Sequence, residues 1–75
     1  MTAEEIQKNL LGVLTSTVTS RAAVRNNDAP FQGDKLAHDL AVDQISKKVD
    51  AVYLCCKVAG IQEDTIRNII SLCSL

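Results

Sequence analysis

Between Asp34 and Gly60 the apolar residues Ala37, Ala41, Ile45, Val49, Val52, Cys56 and Ala59 recur in steps of four and three. That is the period of one face of an α-helix. Asp34 is a good N-cap, because its carboxylate can accept from unpaired amides of the first turn. Gly60 stands where a residue in the left-handed conformation commonly closes a helix. A helix over 34–59, at about 1.5 Å per residue, is about 39 Å long. Leu36 and Leu40 are read as widening its apolar face. The opposite side carries Asp39, Asp43, Lys47, Asp50 and Lys57 and is read as solvated. Asp43 and Lys47 on that side are four apart with the acid first, the favourable order. In a chain of 75 residues one helix this long leaves few folds, since the remainder must lie alongside it.

The segment from Asn26 to Gly33 is the only linker-like stretch. Asparagine tolerates the left-handed conformation, Pro30 disfavours helix at Ala29, and Gly33 adds a flexible point. So short a break predicts antiparallel packing of the helices on either side. Phe31, an aromatic in a polar loop, is read as a plug over the open end of the core. The first helix is expected over 3–25. Thr2 and Glu5 form a capping-box pair, Glu4 and Glu5 suit the positive end of the helix dipole, and Ile6, Leu10, Val13, Leu14 and Val18 have helical spacing. Its weak part is Thr15 to Ser20, where hydroxyl and β-branched residues lower helix propensity. A third, short amphipathic helix over 62–73 follows from Ile66, Ile69, Ile70 and Cys73, at i, i+3, i+4 and i+7. Leu72 and Leu75 lie off that stripe and suggest docking of the C-terminal end.

The expected fold is therefore all-α: a helical hairpin of two long antiparallel helices plus a short C-terminal third helix, closed in a compact bundle as a single helical domain over 1–75. Cores this small supply only about 3–5 kcal/mol of net stability, and small proteins add disulfides, a metal or a partner chain. The three cysteines are odd in number, and Cys55 and Cys56 are adjacent. No signal-peptide pattern follows Met1. A reducing, cytoplasmic setting is expected, with the cysteines as small buried hydrophobes. The single histidine and the absence of CxxC or HxxxH spacing argue against a metal. No cofactor is expected. A partner chain remains.

Composition narrows the function classes. The net charge is −1 and the longest basic run is Lys47-Lys48, so no surface is dominated by phosphate neutralisation. No apolar run approaches the ~18 residues a membrane span needs. Catalytic signatures such as GxSxG, the P-loop or GxGxxG are absent. His38 and Cys55 are seventeen residues apart, roughly 26 Å along one helix, so a Cys–His dyad within it is excluded. His38 is read as a surface residue. The expectation is a non-enzymatic chain.

One segment has a more specific pattern. Cys56 is a small residue where two helices could cross, Gly60 lies in the turn, and Ile61, Ile66 and Ile69 supply apolar positions after it. Residues 52–72 thus resemble a helix-turn-helix. That resemblance implies a second helix laid in the major groove, with Gln62, Thr65, Arg67 and Asn68 as the DNA-facing residues. Glu63 and Asp64 fit that role badly, because they would repel the backbone.

The leading expectation is a protein-interaction or assembly module that pairs with itself, a homodimer by default, or with another helical protein. The interface residues expected on the apolar faces are Ile45, Val49, Val52, Ile66, Ile69 and Ile70, with Leu72 and Leu75 at the tail. The alternative is a small DNA-binding regulator that uses residues 52–72.

Overall fold

A computed structural model of the chain describes residues 2–27 and 29–74. Helix α1 spans Ala3–Asn26. A single 3-10 turn, Ala29–Phe31, leads into α2, Lys35–Val58, and α3 spans Glu63–Cys73. There is no strand among the described residues. The long helices α1 and α2 lie against each other as a hairpin, and α3 folds back to pack more on α1 than on α2. The result is a rod of 45 × 19 × 18 Å.

Local chemistry accounts for the ends of α1 and the start of α2. The Thr2 hydroxyl accepts from the Glu5 amide at 3.2 Å, and Glu4 and Glu5 occupy the positive end of α1. The doubtful stretch from Thr15 to Ser20 stays helical. Two of its hydroxyls bond the preceding turn rather than competing for an alternative conformation, Thr15 donating to the Leu11 carbonyl at 2.9 Å and Thr17 to the Val13 carbonyl at 2.7 Å. Past α1, the Asn27 side chain accepts from the Ala29 amide at 3.2 Å, a local turn that asparagine favours. Gln32 and Gly33 then take positive φ values of 51° and 82°, turning the chain into the Asp34 cap, whose carboxylate accepts from the Ala37 amide at 3.1 Å.

The second corner is a Schellman closure. The Gly60 amide donates to the Lys57 carbonyl and the Ile61 amide to the Cys56 carbonyl, both at 3.1 Å. The geometry needs a left-handed residue, and Gly60 provides it with φ 89°. The Ala59 carbonyl at this end accepts from Gln7 Nε2 at 2.9 Å, so a side chain of α1 helps to cap α2 across the hairpin.

The core is small. Leu14 and Val18 of α1, Val49 and Cys56 of α2 and Ile66 of α3 are its buried members. Leu10, Val52, Tyr53, Ile61, Ile69, Ile70 and Cys73 pack around them. This cluster fills the half of the rod that carries α3. At the loop end Phe31 stands against His38, with ring centroids 5.2 Å apart.

Two expectations are corrected. Leu36 and Leu40 do not widen the packed face of α2: they are 70% and 54% exposed, because the face that meets α1 is centred on Ile45, Val49 and Cys56, far around the helix. His38 is not a free surface residue. It is half-buried, with Nε2 2.6 Å from the Val24 carbonyl. A carbonyl only accepts, so Nε2 is the protonated nitrogen in this contact, and it satisfies an acceptor at the C-terminal end of α1.

Candidate interaction surfaces

The residues expected at an interface divide into three groups. Val49 and Ile66 are buried in the chain's own core and offer nothing to a second chain in this conformation. Ile45, Val52, Ile69 and Ile70 are half-buried along the seams between helices. Leu72 is 70% exposed on the outer side of α3, and Leu75 lies outside the described residues. The physical reason is economy: a core with five buried side chains among the described residues needs the best-aligned apolar stripe of each helix for itself.

The segment that resembles a helix-turn-helix places Cys56 and Ile66 in the core, with Ile61 and Ile69 packed against it. Gln62, Thr65, Arg67 and Asn68 are all exposed. Arg67 is not free, however. Its Nη2 sits 3.1 Å from Glu63 Oε1, which also accepts from the Tyr53 hydroxyl at 2.7 Å. The Lys57 ammonium stands 5.5 Å from the centre of the Tyr53 ring. The Tyr53 hydrogen bond, and then the charges of Arg67 and Lys57, hold the Glu63 carboxyl below its ordinary pKa. Glu63 and Asp64 fill the first turn of α3. The end of α3 that would approach phosphates thus carries two carboxylates and one arginine already paired.

No cluster of three or more histidine, cysteine or acidic side chains that could hold a metal occurs among the described residues. Against the expectation of buried cysteines, Cys55 is exposed and Cys73 only half-buried; Cys56 is buried, and burial pushes its thiol pKa up, with the neighbouring Cys55 adding to the effect. The cleft at the loop end, lined by Phe31, Asp34, Lys35, His38 and Asp39, includes two groups with structural duties: Asp34 caps α2 and His38 holds Val24.

The feature that sequence reasoning missed lies on the outside of α2. Leu36, Leu40, Leu54 and Val58 are 70%, 54%, 60% and 89% exposed. Leu36 and Leu54 are eighteen residues apart, as are Leu40 and Val58. At about 3.6 residues per turn that is five whole turns, so the four side chains form one line along the helix. The line runs about half a turn away from the face that packs on α1. Between its two apolar ends lie Asp43 and Lys47, joined by a 3.4 Å ion pair. The eighteen-residue spacing was present in the sequence as its only signal.

No family model matches this chain, and no curated protein or solved structure matches it either. Among the described residues no helix is long and apolar enough to cross a membrane.

Proposed function

We propose that this chain is a non-enzymatic assembly module that pairs through its exposed helix surface with a second copy of itself. One observation carries the reading: four large apolar side chains stand in a line on the outer face of α2, opposite the face that closes the hairpin. Covering a leucine or valine side chain is worth about 1.5–3 kcal/mol. That is large beside the ~3–5 kcal/mol a core of this size supplies. A single copy leaves this contribution unused, and a partner helix would recover it. Two-fold pairs are the commonest closed assemblies. The DNA-binding alternative is less well supported, because Arg67 is engaged by Glu63 and the neighbouring carboxylates disfavour phosphate.

The test is light scattering on the eluting wild-type protein and on a Leu40→Asp/Leu54→Asp variant. The wild type should elute above its monomer mass of 8.1 kDa. The variant should fall to that mass with its helical circular dichroism intact, since neither leucine belongs to the core. A monomeric wild type at the highest attainable concentration would sink the reading. If that monomer also bound a random-sequence duplex in a salt-sensitive way, residues 52–72 would become the site.

A further inference from the structure

Resting on the assembly reading, we infer that the partner is a second copy of this chain, and that the two α2 helices cross antiparallel with the two-fold axis passing at Lys47. The argument is the order of residues along the exposed line. On that azimuth α2 presents Leu36, Leu40, Asp43, Lys47, Ala51, Leu54 and Val58, in steps of four, three, four, four, three and four. These steps read the same in both directions from Lys47. Any helix repeats this spacing about any of its residues; what is particular here is that two apolar pairs, Leu36 with Val58 and Leu40 with Leu54, share the midpoint Lys47, so a two-fold axis there gives an isologous contact. With the axis at Lys47, Leu36 meets the partner's Val58, and Leu40 meets the partner's Leu54. Each apolar end of one helix then covers the other apolar end of its neighbour.

Charge supports the same register. Asp39 and Lys57 are also eighteen residues apart, so they share one flank of the line. In an antiparallel two-fold pair each flank faces the same flank of its partner. Asp39 then lies two residues, about 3 Å along the axis, from the partner's Lys57, within reach of a lysine side chain. Symmetry makes this contact twice. On the axis itself the two Lys47 side chains approach, but each carries its own counter-charge in Asp43 at 3.4 Å. A parallel pair would instead set Asp43 on Asp43 and Lys47 on Lys47, with none of the Asp39–Lys57 contacts. Besides the Lys47 pair on the axis, the antiparallel register has a like-charge defect that symmetry makes twice. Asp50 lies within one residue of facing the partner's Asp43, on the same flank.

The register is read by thiol cross-linking with a short bis-maleimide in a Cys55→Ser/Cys73→Ser background, which removes the two thiols that are not buried. Lys47→Cys should give a covalent dimer as the main product. Leu36→Cys alone should not, because two copies of position 36 lie about 33 Å apart along the axis in this register. Mixed with Val58→Cys, it should give the covalent heterodimer. In parallel, Asp50→Asn should tighten the pair several-fold by removing the like-charge contact. Self-cross-linking of Leu36→Cys would mean a parallel pair and overturn the inference. So would a protein that sediments as a dimer without cross-linking at position 47, or whose affinity ignores Asp50→Asn; in either case the assembly reading itself survives. A protein that sediments only as a monomer overturns both.

Discussion

Replacing Ile66 by alanine removes the only buried side chain contributed by α3 among the described residues. Ile66 is fully inaccessible and shares its cluster with two residues from each long helix. Three carbons are lost, worth about 2.4 kcal/mol at ~0.8 kcal/mol each, and incomplete collapse around the gap brings the expected cost to about 2–5 kcal/mol. Against a net stability of about 3–5 kcal/mol, that is half or more of the total. The three helices share one small core, so the loss should appear as one cooperative transition at lower denaturant rather than as detachment of α3 alone. With a urea slope near 1 kcal/mol/M, typical of small proteins, the midpoint should fall by about 2 M or more in far-ultraviolet circular dichroism. Wild type and variant must be compared at equal protein concentration, since a partner copy adds stability by mass action. A midpoint shift below about 0.5 M with an unchanged slope would refute the packing of α3 described above.

Three further outcomes follow from the same geometry. Gly60→Ala should destabilise the fold by about 1–2 kcal/mol, measured in the same urea titration. The φ of 89° is the cause rather than space, because the nearest atom to an added Cβ is Gln7 Nε2 at 3.6 Å. Cys55 should react with an alkylating reagent in the folded state, whereas Cys56, buried and with its thiol pKa raised, should react only on unfolding; mass spectrometry of peptides after timed labelling reads this, and equal rates would contradict the burial of Cys56. The depressed pKa of Glu63 means its ionised form is favoured by folding. Its contribution is therefore present above the ordinary carboxylate pKa and is lost as pH falls through the lower folded value. A carboxyl titration by nuclear magnetic resonance should show Glu63 moving back toward its ordinary value in Tyr53→Phe, the largest cause having been removed, and no movement would count against the Tyr53 contact.

Much of the fold was readable because helix ends are written locally. Thr2, Asp34 and Gly60 each satisfy backbone groups within a few residues, and such signals need no knowledge of the rest of the chain. The rotation of α2 about its own axis was not readable in the same way. Two lines of apolar residues with helical spacing run along it, one through Ala41, Ile45, Val49 and Cys56, the other through Leu36, Leu40, Leu54 and Val58. Merging the start of the second into the first placed Leu36 and Leu40 in the core. Only packing against α1 separates the two lines, and that same packing withdrew Val49 and Ile66 from any external surface. The bonds from Gln7 to Ala59 and from His38 to Val24 were equally invisible. They depend on how far α1 and α2 slide past one another, which no local pattern encodes.

Sedimentation equilibrium of the wild-type chain, from micromolar to hundreds of micromolar under reducing conditions, tests the central claim most directly. Self-association through α2 predicts a mass approaching twice 8.1 kDa at the upper end and falling toward 8.1 kDa on dilution. A mass of 8.1 kDa at every concentration would contradict it, leaving the outer line of α2 uncovered by a second copy.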